Sequence, residues 1–213
     1  MPGYTRSTAL IVVDVQNDFA DPGGSLSVKG GAEIVPGINR EIEAARAAGA
    51  HVAYTQDWHP QHTPHFAQDG GIWPVHCVQD TWGASLHPDL TVDGPVVRKG
   101  SNGEDGYSGF TMRDPVTAAT APTELEGLLR DGGVTEVLVC GLATDYCVNA
   151  TAQDAVRLGF GTTVLTNLIR AVELQPGDGD KALAELRRAG AQLEDRAEKV
   201  AGRAGAGQVG SSR

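Results

Sequence analysis

Ala9-Leu-Ile-Val-Val13 is an unbroken aliphatic run that stops at Asp14. A run of this length without alternation reads as a strand buried on both faces, and such strands belong to parallel sheets covered by helices. The rest of the chain repeats the theme. Further strands are predicted at Ala50–Thr55, Pro95–Lys99, Glu136–Gly141 and Thr162–Thr166, and Gln192-Leu193 starts a short last one. Between them the spacing predicts a helix over Pro36–Ala48, with Ile38, Ile42 and Ala45 on one face and Gly49 as a stop. A second helix opens at the capping box Thr123-x-x-Glu126 and ends at Gly132-Gly133. Helices over Asp145–Leu158 and Asp180–Ala189 complete the set. This order implies an α/β chain: a three-layer α/β/α sandwich around a mainly parallel, roughly six-stranded sheet. Residues 1–201 read as one domain, and the Gly/Ala/Ser-rich stretch 202–213 as a disordered tail.

Two long segments escape the pattern. Residues 57–94 are rich in His, Trp, Pro and Gly, and residues 100–122 in Gly, Thr and Ala. Structureless loops of such length in a small domain are usually functional. In parallel sheets, ligands lie beyond the carboxyl ends of the strands. Asp14, Lys99 and Cys147 stand at or just beyond three such ends. A carboxylate closing an apolar run costs several kcal/mol unless it is paired or used. Lys99 alone reads equally as a strand end facing water. Cys147 falls in the first turn of the helix after the fourth strand, where the dipole and free backbone N–H groups favour thiolate and could hold an oxyanion. Cys140, inside that strand, reads as structural. Together the three residues are a nucleophile, a base and a cation, the parts an amide-cleaving site needs.

A second cluster follows the second strand. Asp57 and His59 are two residues apart, and His62, His65 and His76 lie in the loop beyond. One carboxylate with two or three imidazoles suits Zn²⁺, Mn²⁺ or Fe²⁺. Trp58, Trp73 and Phe19 are candidates for the wall of a pocket holding a flat ring, or else ordinary core aromatics.

The net charge of −10 argues against nucleic-acid and anionic-membrane partners. No apolar stretch is long enough to span a bilayer, and no signal peptide is legible. Three cysteines without a Cys-x-x-Cys pair fit a cytoplasmic protein with free thiols.

The motifs Val13-Asp-Val-Gln-Asn-Asp-Phe19, Asp57-Trp-His59, His65-Phe66, Trp73-Pro-Val-His-Cys77, Lys99-Gly100, Tyr107-Ser-Gly-Phe110 and Gly141-Leu-Ala-Thr-Asp-Tyr-Cys-Val148 occur in this order. As a set, the chain resembles the nicotinamidase/pyrazinamidase branch of the isochorismatase-like cysteine hydrolases. The resemblance runs from about Ala9 to about Thr166. It implies a catalytic triad of Asp14, Lys99 and Cys147, and an oxyanion hole of the Ala143 and Cys147 amides beside a cis Leu142–Ala143 peptide. It implies one divalent metal ion on Asp57, His59 and His76, joined in some members by the histidine matching His65. Phe19, Trp73 and Tyr107 match ring-contacting positions. The implied reaction converts nicotinamide, a linear carboxamide, to nicotinate and ammonia through a thioester, as in NAD salvage. The alternative is another hydrolase of the superfamily, acting on a ureido or carbamoyl substrate. A homo-oligomer is left open. Residues 114–122 look like an insert, and Asn167-Leu-Ile-Arg170 departs from the relatives' pattern after the fifth strand.

Overall fold

A computed structural model describes residues 3–196. The tail expected from Gly202 onward lies outside the described residues. Six strands form one parallel sheet in the order β3-β2-β1-β6-β7-β8. They are β1 (Thr8–Val13), β2 (His51–Asp57), β3 (Val96–Lys99), β6 (Glu136–Leu142), β7 (Gly161–Arg170) and β8 (Gln192–Glu194). All six residues of β1 are buried, as its unbroken apolar run requires.

Alternate residues of β1 serve opposite faces. Leu10 and Val12 pack with Ile38, Ile42 and Ala45 of α2 (Val35–Ala47). Ile11 and Val13 belong to the second core, with Leu129 of α3 (Leu125–Asp131), Ala152 of α4 (Asn149–Arg157) and Leu186 of α5 (Asp178–Ala189). This is the expected three-layer sandwich. Pro36 sits in the first turn of α2, where its missing N–H is no loss, and Gly49 follows the helix at φ +72°.

Several local features depart from expectation. The polar stretch after Asp14 contains a short helix, α1 (Asn17–Ala20). Residues 100–122 contain an antiparallel hairpin of β4 (Thr111–Arg113) and β5 (Thr120–Pro122). The capping box does not form: the Thr123 hydroxyl accepts from Leu125 N–H and donates to the Gly109 carbonyl. Glu126 pairs with Arg130 instead, and Glu124 occupies the N-cap position without a side-chain cap. The fifth central strand, β7, runs to Arg170. Val139 opposes Val164 but Gly141 opposes Ile169, so a bulge in β7 lets pairing resume beside the end of β6.

The strand order reverses between β1 and β6, the topological switch point at which open α/β sheets bind ligands. Gly141 makes the close approach there possible. Its φ is +113°, and a Cβ would fall on the Val13 carbonyl oxygen.

Candidate active site

Asp14 leaves β1 with φ +47°, in the left-handed region that non-glycine residues seldom adopt. Its carboxylate is fully buried. Oδ1 accepts the Thr55 hydroxyl at 2.6 Å, and Oδ2 lies 2.7 Å from Lys99 Nζ. Lys99 closes β3, whose alternation turns Val97 and Lys99 inward and Arg98 outward onto the Trp58 ring. The Lys99 ammonium, also fully buried, pairs with Asp57 Oδ1, donates to the Gly106 carbonyl, and stands 3.7 Å from Cys147 Sγ. The three strand ends therefore converge on one ammonium.

Cys147 sits in a π-helical turn, Thr144–Val148, that joins β6 to α4. Val148 N–H reaches back to the Ala143 carbonyl at 3.0 Å. Leu142–Ala143 is a cis peptide. Ala143, in extended conformation, caps the turn and lines the same cavity as Cys147.

Electrostatics distribute protons among these groups. Burial pushes the Asp14 carboxyl up to about 6, against the pull of Lys99. Burial also pushes the Cys147 thiol well above its ordinary value, only partly offset by Lys99. The thiolate-favouring helix terminus is thus outweighed, and burial favours the neutral thiol. Burial disfavours the charge on Lys99, but Asp14 and Asp57 more than compensate and hold it protonated. Asp57 is likewise disfavoured by burial, yet Lys99, His59 and His76 hold it well below the carboxylate range.

The other Asp57 oxygen faces the histidines. Its Oδ2 lies 3.7 Å from His59 Nε2 and 3.9 Å from His76 Nε2. His59, His65 and His76 present ring nitrogens within 4.8 Å of one another. His76 Nδ1 is tied to the Pro74 carbonyl and His65 Nδ1 to Asp105 Oδ1, both at 2.8 Å. Burial lowers the pKa of His65, and that of His76 to about 4, so both rings are neutral and carry a free lone pair. Both nitrogens of buried His59 have no hydrogen-bond partner among the described residues. An unpaired buried polar group costs about 1–3 kcal/mol, so this ring is the feature a metal ion would explain. The set of imidazoles and carboxylate suits a divalent transition ion. Gly100, at φ +76°, makes room for the ring, because a Cβ would strike it. His62 is not part of the cluster: its side chain is 73% exposed and bonds Asp69.

A small, mostly apolar cavity lies between the cysteine and the histidines. Phe19, Trp73 and Tyr107 all line it. Trp73 Nε1 donates to the Tyr107 hydroxyl at 2.8 Å, which fixes both rings. Trp58 does not reach the cavity. It packs against the α2-side core beneath Arg98.

Sequence reasoning missed several participants. Tyr146 lines the cavity and meets Trp73 edge-on, with centroids 4.8 Å apart. Gln16 clamps both backbone groups of Asp57, accepting from its N–H and donating to its carbonyl at 2.8 Å each. Thr55 and Asp105 hold Asp14 and His65. Tyr146 was readable as the neighbour of the cysteine; the other contacts join residues some 40 positions apart and leave no local trace.

A parallel sheet with a cysteine, a carboxylate and an ammonium at its switch point defines an α/β protein built for chemistry on a small molecule. Residues 8–198 match the Isochorismatase domain family. The nicotinamidase/pyrazinamidase of Mycobacterium tuberculosis is 42% identical over 190 residues, covering 87% of this chain and 97% of that protein. The crystal structure of the pyrazinamidase of Pyrococcus horikoshii in complex with zinc superposes with a TM-score of 0.79 at 39% identity, over 89% of this chain and 99% of that one. PnC1 from L. infantum in complex with nicotinate gives 0.83 at 38% identity, over 91% and 96%. The chain belongs to the isochorismatase family, in its nicotinamidase/pyrazinamidase branch. Among the described residues, no helix is long and apolar enough to cross a membrane.

Proposed function

We propose that this chain hydrolyses nicotinamide to nicotinate and ammonia, with Cys147 as nucleophile. The observation that carries the reading is the cavity in which the Cys147 thiol, beside the Lys99 ammonium that also pairs with Asp14, faces aromatic walls and a cluster of histidines. In this reading the flat ring lies among Phe19, Trp73, Tyr107 and Tyr146, which line the cavity, with its carboxamide at the sulfur.

Asp57, His59, His65 and His76 would hold one divalent metal ion. When bound, the ion supplies a Lewis-acidic anchor for a ring nitrogen. The chain's own residues carry the acyl transfer. Asp14 takes the Cys147 proton as the sulfur attacks the carboxamide carbon. A carboxyl whose pKa is raised to about 6 is a stronger base than an ordinary carboxylate and is still ionised at neutral pH. The amides of Ala143 and Cys147 would donate to the developing oxyanion. As the C–N bond breaks, the proton on Asp14 passes to the leaving nitrogen, which departs as ammonia. Lys99 remains charged throughout and balances Asp14 when that carboxylate is re-formed. Water then attacks the thioester as Asp14 takes its proton, the sulfur leaves and recovers that proton from Asp14 to restore the thiol, and the acid product departs ionised as nicotinate.

The ureido or carbamoyl alternative gives the histidine cluster no role. The free cysteines support a reducing, cytoplasmic setting. Ammonia release from nicotinamide and from a ureido substrate, each with and without chelator, tests the reading. Chelator-sensitive turnover of nicotinamide supports it. Chelator-insensitive turnover of the ureido substrate alone would overturn it.

A further inference from the structure

The insert-like stretch 114–122 has a structural consequence that leads back to the cluster. It forms the turn and second strand of the β4–β5 hairpin, an element with no place in the main sheet. Arg113, the last residue of β4, exchanges both backbone hydrogen bonds with Asp105: Asp105 N–H donates to the Arg113 carbonyl at 2.7 Å, and Arg113 N–H returns to the Asp105 carbonyl at 3.1 Å. The Arg113 guanidinium lies 3.8 Å from Asp105 Oδ2. The other oxygen, Oδ1, is 2.8 Å from His65 Nδ1. Opposite the hairpin, His65 stacks on His59 with centroids 4.8 Å apart and an interplanar angle of 21°.

We propose that Asp105 is a positioning residue for His65. It accepts the Nδ1 proton and so presents Nε2 to the metal ion, and the β4–β5 hairpin exists to hold it there. This rests on the reading of the histidine cluster as a metal site. A neutral imidazole carries one proton on either nitrogen, and the acceptor beside one nitrogen decides which lone pair is free. A carboxylate on the far nitrogen also raises the basicity of the ligand and stops the ring from rotating about χ2. Pro74 does the same for His76 through its carbonyl. His59 has no such partner among the described residues, so its orientation comes from packing and from Gly100. Of the three rings, only His65 is hydrogen-bonded to a side chain, and that residue, Asp105, is tied by its backbone to Arg113 at the end of β4. The hairpin would thereby decide whether the ion has His65 as an additional ligand.

The test is a competition titration of the zinc-loaded full-length chain against a chromophoric chelator, which reads affinity rather than turnover. Asp105→Ala is expected to weaken zinc binding about ten- to hundredfold, the usual effect of removing an outer partner of a ligating histidine. Asp105→Asn keeps an acceptor oxygen and loses the charge opposite Arg113, so it should recover most of the affinity. His65→Ala should weaken zinc to a similar or greater degree, and adding Asp105→Ala to it should change nothing further. His59→Ala is the control for the metal site itself. If His59→Ala weakens zinc while Asp105→Ala does not, or if the effects of Asp105→Ala and His65→Ala simply add, the positioning role is overturned. If His59→Ala also leaves zinc affinity unchanged, the metal reading falls first.

Discussion

Removing the Lys99 ammonium is the perturbation with the most definite consequence. One fully buried charge balances Asp14 and Asp57 and stands beside the Cys147 sulfur. At the 2.7 Å separation from Asp14, a unit pair is worth about 6 kcal/mol at an effective dielectric constant near 20. One pKa unit corresponds to about 1.4 kcal/mol, so even half of that interaction is roughly two units. In Lys99→Met the Asp14 carboxyl should therefore rise from about 6 to well above neutrality. The sign follows from its role. A base works only when deprotonated, so raising its pKa removes activity at neutral pH and restores it as pH increases. The acid limb of kcat/KM for ammonia release should move upward by roughly two units or more, with a loss of about tenfold to a hundredfold at pH 7. Two buried carboxylates left with one cation fewer should also destabilise the fold by about 3–5 kcal/mol, a Tm drop of roughly 6–20 °C in a chain of this size. Full pH profiles of kcat/KM for wild type and variant, with thermal melts alongside, make the comparison. An acid limb that stays near its wild-type position would refute the assignment of Asp14 as the base whose charge Lys99 balances.

Further outcomes follow from the same geometry. Cys147→Ala should lose ammonia release entirely while retaining nicotinamide binding by calorimetry, because only the proposed nucleophile is removed. Tyr107→Phe deletes the acceptor of the Trp73 indole N–H and should raise KM several-fold, by about 1 kcal/mol, with a smaller change in kcat by steady-state kinetics. Gly141→Ala places a Cβ against the Val13 carbonyl at a positive φ, and should cost upwards of about 2 kcal/mol in denaturant unfolding.

What could be read in advance was whatever an apolar run or a strand end announces. β1 and β6 are buried along nearly their whole length, so their sequences carry no competing signal. Asp14 is conspicuous because a charge follows aliphatic side chains, and Cys147 because it falls in the turn that opens the next helix. The β4–β5 hairpin left no such mark. Its strands are three residues long, and one of them is wholly exposed. No alternation can develop over that length, and Gly, Thr and Ala read as loop. The Thr123 capping box failed because its hydroxyl had a better use, bridging Gly109 and Leu125 across the turn before α3. Helix periodicity covered residues 145–158 correctly in extent, but a π-turn at its start differs from an α-turn only in which carbonyl an amide reaches. Asp105, Thr55 and Gln16 act over separations of about 40 residues, through contacts that only the folded chain creates. The thiolate expected for Cys147 followed from helix position alone. Burial, visible only in three dimensions, reverses the direction.

The most direct measurement is mass spectrometry of peptides from enzyme acid-quenched during turnover of nicotinamide. A nicotinoyl group should appear on the peptide carrying Cys147, should be absent from those carrying Cys77 and Cys140, and should vanish in Cys147→Ala together with ammonia release. Ammonia produced at the wild-type rate by Cys147→Ala, with no acyl adduct on any cysteine, would contradict the account.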